Sequence, residues 1–350
     1  MKKRILFFAH TIDYAGTWRS HERIINSLDE NLFEPYVFYW PKADNNRLNV
    51  MRNILPEENI VPYERSDEKT GPESGYRPLQ TNFSELAKKY QFDIIHYGRS
   101  GYFEWPFNER LAPLQVETNI FGHRDNSDFL DKSITISNHV SGIRRGSDAV
   151  IYNPIPDAKF EGTSLREKLE IPEEAIVFGR IGRPANFTPI AIYAYAKLCQ
   201  KYSNLYFIII GPCEQIKQAV RANNIPNVIL IEPTNNDKLI EQFHRSVDIF
   251  LHYRSDGETH GTGIAQAMMY GIPVVSHHSP VYNAQKETVA TAGYVVSSAE
   301  EYFQSVEKLI LNKELRNELS QKARKTALER YEQEKVVHKI QEKYLEWLNE

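Results

Sequence analysis

The stretch DGETHGTGIAQAMMYGIPVVS, residues 256–276, passes from a polar, glycine-punctuated loop into a small-residue helix and then into an apolar strand. The run VDIFLHY (247–253) precedes it and reads as another strand. Strand, loop, helix and strand in this order form the repeating unit of a parallel α/β sheet. The helix begins near Gly261, so the amides of Gly261, Thr262 and Gly263 fall where backbone donors lack intrahelical acceptors. The helix dipole favours negative charge there by ~0.3–2 kcal/mol. Gly261 and Gly263 carry no side chain that would block a phosphate. A plain glycine-rich turn opening an ordinary helix fits the same pattern, and the rest of the chain must separate the two.

Working outward, apolar runs alternate with helix-period segments throughout. In the first half the strands are expected at 4–9, 36–40, 92–97, 114–118 and 133–137, with a helix over 18–28 that spaces Ile24, Ile25 and Leu28 on one side. Residues 65–80 read as a surface loop rich in turn formers. VIYNPIPDAKFEG (150–162) has neither period and reads as an interdomain connector. Alternation then restarts, with strands expected at 175–182, 205–211, 227–232, 247–253, 272–276 and 293–297. Thr188 and Pro189 are expected as N-cap and first residue of a helix through Leu198. At the C-terminus Val337, Ile340, Tyr344 and Trp347 make one apolar stripe, expected to pack back onto the N-terminal domain. The expected fold class is therefore α/β, with two doubly wound Rossmann-like domains facing across a cleft. Their bounds are 1–153 and 154–330, with a helical tail over 331–350.

Composition narrows the function. The 350 residues carry 42 Lys and Arg against 46 Asp and Glu, for a net charge of −4, which argues against a nucleic-acid binder. The two cysteines, Cys199 and Cys213, form no ligand-spaced pair and no disulfide framework. The apolar core of MKKRILFFAH, Ile5 to Ala9, is too short for a signal peptide, and no run approaches the ~18 apolar residues of a membrane span. The expectation is a cytoplasmic protein. The Gly-Thr-Gly of 261–263 invites a dinucleotide reading, but Gln266 stands at the last glycine position of that motif.

With these elements placed, the 256–276 stretch resembles the donor-site signature of the retaining GT-B glycosyltransferases of family 4, the glycosyl transferases group 1. Glu258, Gly261, Ala267-Met268, Gly271 and IPVV match that signature in order; His260 replaces its Phe, and Gln266 replaces its second Glu. VFGRIG (177–182), IIIGPCEQ (208–215), and YNAQKETV (282–289), where Glu287 matches the family's Glu, extend the likeness. In the first half DIIHYG, SITISNHV and VIYNPIPD match in patches. The family's Lys downstream of the Arg is missing, with only Arg183 nearby, and its glycine pair after the first strand is reduced to Gly16-Thr17.

The resemblance implies sugar transfer from a nucleoside-diphosphate sugar, with retention and with neither metal nor other cofactor. It implies Arg180 on the donor diphosphate, and Glu258 on hydroxyls of the donor sugar. Arg183 or Lys286 would stand in for the missing Lys, and Gln266 would meet the ribose, since an amide both donates and accepts. Gly16, His123, His260, Gly261, Thr262 and Gly263 complete the expected substrate-binding set. The N-terminal domain would take the acceptor, whether a glycan, a lipid-linked sugar or a small molecule, with peripheral membrane contact but no span. The departures at Gln266 and at the missing Lys keep a second expectation open: a catalytically weak GT-B subunit that binds a glycan or a partner enzyme.

Overall fold

The computed structural model describes residues 1–9, 12, 16–39, 44–64, 82–99, 109–122, 127–143, 147–184 and 189–350. The expected loop at 65–80, residue Thr188 and residue His123 lie outside these. The chain forms two compact units. One comprises Met1–Pro154 with Gln333–Glu350, the other Ile155–Glu332.

In the first unit, among the described residues, strands β1 (Lys3–Ala9), β2 (Phe33–Tyr39), β3 (Ile60–Pro62), β4 (Ile94–Arg99), β5 (Leu114–Asn119), β6 (Lys132–Thr135) and β7 (Ala149–Val150) form one sheet in the order β3-β2-β1-β4-β5-β6-β7. Every pair is parallel. Helices α1 (Gly16–Asn26), α2 (Asn45–Arg52), α3 (Phe83–Tyr90) and α4 (Asn138–Ser141) connect the strands. Both faces of the sheet are covered. Ile5 and Phe7 pack with Trp18, Ile24 and Ile25 on one side, while Leu6 and Phe8 pack with Phe38 and Phe83 on the other. This is why β1 reads as an unbroken apolar run instead of an alternating one.

The second unit holds β8 (Ile176–Ile181), β9 (Leu205–Ile210), β10 (Val228–Ile231), β11 (Ile249–Leu251), β12 (Gly257–Glu258), β13 (Val274–His277), β14 (Tyr282–Asn283) and β15 (Gly293–Val296). Six of these make a parallel sheet in the order β10-β9-β8-β11-β13-β15, and β12 pairs with β14 beside it. Its helices are α5 (Leu165–Lys168), α6 (Ile190–Cys199), α7 (Glu214–Ala222), α8 (Asp237–His244), α9 (Thr262–Met269), α10 (Ala284–Val289), α11 (Ala299–Leu311) and α12 (Lys313–Arg330). Asn236, Ser298 and Asn312 cap α8, α11 and α12 with side-chain oxygens.

The last helix, α13 (Gln333–Leu348), belongs to the first unit and buries Val336, Val337, Ile340, Tyr344 and Trp347 in its core. The Tyr344 hydroxyl meets Nδ1 of His96 on β4 at 2.5 Å, and Nε2 of the same ring lies 2.7 Å from Thr118 Oγ1 on β5. His96 is thus a core histidine with both ring nitrogens satisfied.

Several expected bounds shift, each for a local reason. The helix after residue 188 starts at Ile190, with Pro189 at the N-cap position in place of first helical residue. β11 ends at Leu251, short of Tyr253, because Arg180 takes the carbonyls of both residues. The connector begins inside the sheet, with Ala149–Val150 as its edge strand.

Candidate functional site

In the sheet of the second unit, the chain runs from β8 through β9 to β10 on one side, then returns to place β11 on the other side of β8. Open α/β sheets bind ligands beyond the carboxyl ends of the strands at such a switch point. Arg180 sits at this end of β8, and the loop carrying Glu258 leaves β11 beside it. The Arg180 guanidinium donates to Leu251 O at 3.4 Å and to Tyr253 O at 2.5 Å. Burial pushes its pKa down to about 9, against the opposing pull of Tyr302 and Glu258, so the group stays cationic at neutral pH.

Two glycines shape the loop. Gly257 has φ +70°, and a Cβ there would come 1.8 Å from Tyr282 O; only glycine lets β12 pair with β14. Gly261 has φ +88° and stands at the N-cap of α9. The first bond inside α9 runs from Ala265 N–H to Gly261 O at 3.0 Å, so residues 262–264 make the first turn of the helix. A Cβ on Gly263 would lie 3.7 Å from Ile181 O, which sets this turn directly against the end of β8, one residue past Arg180. Cation and helix N-terminus therefore converge.

Glu258 sits beside them with its carboxylate gripped from two directions. His252 Nε2 is 3.0 Å from Oε1, and Arg254 Nη1 is 3.1 Å from Oε2. Arg254 is itself locked on Asp256, Nε to Oδ1 at 2.6 Å and Nη2 to Oδ2 at 2.9 Å. Burial raises the Glu258 pKa, but His252, Arg254 and Arg180 outweigh it and hold the carboxyl below its usual range. The Glu258 N–H donates to Gln285 Oε1 at 3.1 Å, and Gln285 Nε2 donates to His277 O at 2.9 Å. The His277 ring lies against Tyr253, and burial lowers its pKa to about 4.

The other expected residues fall in different places. Gln266 is half-buried, one turn into α9 beyond Gly263. Arg183 is exposed, yet close enough for its charge to lower the pKa of Asp256. Lys286 is exposed on α10, next to Gln285. His260 is buried at 2% exposure with its ring edge-on to Tyr331, and its carbonyl accepts from the Thr288 hydroxyl. Gly16 opens α1 in the other unit, with open space where a Cβ would stand. His123 lies outside the described residues.

Sequence reasoning passed over His252, Arg254, Asp256, Ser276 and Gln285. The first three lie within six residues of Glu258 in HYRSDGE, and the turn at Ser255–Asp256, closed by Gly257 N–H on Arg254 O at 3.1 Å, folds the segment back onto the carboxylate. Among the described residues, no group of three or more His, Cys, Asp or Glu could hold a metal ion, and no helix is long and apolar enough to cross a membrane.

Comparison with known proteins bears on this same unit. Residues 163–326 match the family of glycosyl transferases group 1. The matched segment spans β8 to α12 and so contains Arg180, Glu258 and α9. Among solved structures, a glycosyltransferase from Rickettsia africae ESF-5 is similar at 18% identity and TM-score 0.76, covering 99% of each chain. HepE of Anabaena, solved in complex with UDP and glucose, is similar at 16% identity and TM-score 0.72, covering 98% of this chain and 99% of that one. TarM of S. aureus, solved with fondaparinux, α-GlcNAc-glycerol and UDP, is similar at 12% identity and TM-score 0.69 over both full chains. At such identities the likeness is one of fold, and the fold is GT-B, two Rossmann-like halves each on a parallel sheet. No curated protein sequence matches the chain.

Proposed function

We propose that the protein is a glycosyltransferase of the retaining GT-B family 4 type, moving a sugar from a nucleoside-diphosphate sugar to an acceptor without a metal ion. The observation that carries the reading is the convergence of Arg180, the N-terminal turn of α9 and the Glu258 carboxylate at one switch point, inside the segment that matches glycosyl transferases group 1. Loss of the nucleoside diphosphate builds negative charge on the leaving oxygen. A fixed cation and aligned amides stabilise that charge without reorganising during the reaction. Arg180 and the amides of residues 262–263 take the diphosphate, and Arg183 or Lys286 supplies the second positive charge. Gln266, on the same helix, meets the ribose. Glu258 accepts hydrogen bonds from donor-sugar hydroxyls and holds the sugar in its reactive pose. The donor is a hexosyl or related nucleotide sugar; HepE with UDP-glucose and TarM with UDP are the solved precedents for the class.

The acceptor is a glycan, a lipid-linked sugar or a small molecule taken by the first unit, with Gly16 among that unit's substrate-binding residues and His123 reaching the donor sugar. The working compartment is the cytoplasm, with peripheral membrane contact where the acceptor is a lipid. Gln266 and the exposed Arg183 favour one alternative, a weakly catalytic subunit that binds a glycan or a partner enzyme.

A panel of uridine, guanosine, adenosine and thymidine diphosphate sugars, incubated with the protein and EDTA, separates the readings. The expected result is slow release of nucleoside diphosphate from one donor without acceptor, unchanged by added magnesium or manganese. Binding without release would favour the subunit reading. Dependence of binding on the metal would defeat the metal-free assignment, and no binding of any donor would defeat both.

A further inference from the structure

Glu258 is not the end of its hydrogen-bond chain. His252 follows β11 directly and is 5% exposed, and Ser276 on β13 is fully buried. Ser276 Oγ lies 2.9 Å from His252 Nδ1, and His252 Nε2 lies 3.0 Å from Glu258 Oε1. The backbone of His252 is fixed as tightly as its ring. Its N–H donates to Val275 O at 2.8 Å, and its carbonyl accepts from the Tyr302 hydroxyl at 3.3 Å. An ionised carboxylate only accepts, so the proton facing Glu258 belongs to Nε2. In a neutral ring Nδ1 is then the acceptor and takes the Ser276 O–H. Burial holds the ring neutral by lowering its pKa, over the contrary influence of Glu258, with Arg180 and Arg254 adding to the lowering.

We propose that His252 is the positioning residue that aims Glu258 at the donor sugar, its ring tautomer set by the Glu258 carboxylate and its ring angle held by Ser276. The inference rests on the glycosyl-transfer reading above. Arg254, with Asp256 occupying two of its three guanidinium nitrogens, holds Oε2 alone and would leave the carboxylate free to turn about that contact. A second donor from a different direction fixes the carboxylate plane, which leaves the remaining lone pairs presented to the sugar. Such orientation by a third group recurs wherever a catalytic or binding side chain must hold one pose.

The charged and titratable groups around the ring are Glu258 and Arg254 from its own loop, Arg180 from β8, His277 from β13 and Tyr302 from α11. None of them supplies a competing acceptor for Nε2–H. His252 and Glu258 lie six residues apart in the sequence, and the turn closed by Gly257 N–H on Arg254 O at 3.1 Å brings them together.

The test uses the full-length protein and the sugar nucleotide that the wild type consumes in the panel. His252→Leu should lower kcat/KM for donor turnover about 10- to 150-fold, the loss expected for one charge-assisted hydrogen bond, while affinity for the bare nucleoside diphosphate stays within about 2-fold. His252→Gln should recover most of that loss, since its amide N–H reaches the place of Nε2. Long-range proton–nitrogen spectra of labelled wild type should show His252 neutral and protonated on Nε2, and Glu258→Gln, whose amide both donates and accepts, should mix the tautomers. Equal activity of the Leu and Gln variants overturns the inference, as does an imidazolium or an Nδ1–H ring in the wild type. If the wild type binds no sugar nucleotide, the transfer reading fails and takes the inference with it. Donor turnover with unchanged kcat/KM in His252→Leu sinks the inference alone.

Discussion

Deleting residues 333–350 should leave the first unit unable to fold while the second unit keeps its structure. The helix contributes Val336, Val337, Ile340, Tyr344 and Trp347 to the core formed with Ile5, Phe7, Trp18 and Phe33, and all five are buried. At ~1.5–3 kcal/mol for each fully buried apolar side chain, the loss is on the order of 10 kcal/mol, comparable with the whole stability of an ordinary domain. The deletion also strips His96 of the Tyr344 hydroxyl and leaves a ring nitrogen unpartnered in the interior. A single substitution grades the effect: Tyr344→Ala should cost ~3–5 kcal/mol in denaturant unfolding. Limited proteolysis of the truncated chain should degrade 1–154 and spare 155–332. Retention of a protected first unit would show that α13 is an accessory to that core and not part of it.

The second large effect is acid unfolding. Burial lowers the pKa of His21 to about 3 and of His244 and His277 to about 4, and drives His96 well below the usual 6.5 with the charge of His21 adding to the shift. His252 is lowered as well. The sign follows from linkage: these groups stay neutral in the folded state while the unfolded chain takes up protons below pH 6.5. Stability is therefore complete above that pH and falls as pH drops toward the folded values. Each such histidine removes ~1.4 kcal/mol per pH unit across that window. By pH 5 the three with folded values of about 3 to 4 account for ~6 kcal/mol, a large part of a 5–15 kcal/mol total. His21 offers a clean check, because among the described residues neither ring nitrogen has a hydrogen-bond partner, and an apolar replacement sacrifices no bond there. The slope of stability against pH between 6 and 4.5 should drop by about one proton in His21→Leu. An unchanged slope would place the acid sensitivity in other groups.

The fold was legible for a physical reason. Parallel strands buried on both faces must be apolar throughout, so RILFFA and LYFIIIG stood out whatever their neighbours did. The two-residue strands β12 and β14 were invisible, because their pairing depends on Gly257 accepting φ +70° against Tyr282. The site was legible in part. Arg180 and the turn at Gly261 were accessible from spacing and resemblance, and so was Glu258. The partners of Glu258 are His252 and Arg254 from its own loop and Gln285 from α10, and only tertiary packing brings Gln285 to Glu258 and Ser276 to His252. His260 illustrates the opposite failure. Its place in the motif suggested a ligand contact, but its ring packs edge-on to Tyr331, which follows α12 more than sixty residues further along the chain.

The central claim is that Arg180 and the first turn of α9 hold a diphosphate while Glu258 holds the sugar. Calorimetry on wild type, Arg180→Ala, Arg180→Lys and Glu258→Gln, titrated with the nucleoside diphosphate and with the intact sugar nucleotide, tests it most directly. Arg180→Ala should lose ~1.5–3 kcal/mol for both ligands, about 10- to 150-fold in Kd. Arg180→Lys, which keeps the charge but not the fork that binds Leu251 O and Tyr253 O, should fall between it and wild type. Glu258→Gln should bind the bare diphosphate like wild type and weaken only for the sugar nucleotide. Equal losses of diphosphate binding in Arg180→Ala and Glu258→Gln, or an unchanged Kd in Arg180→Ala, would contradict the account.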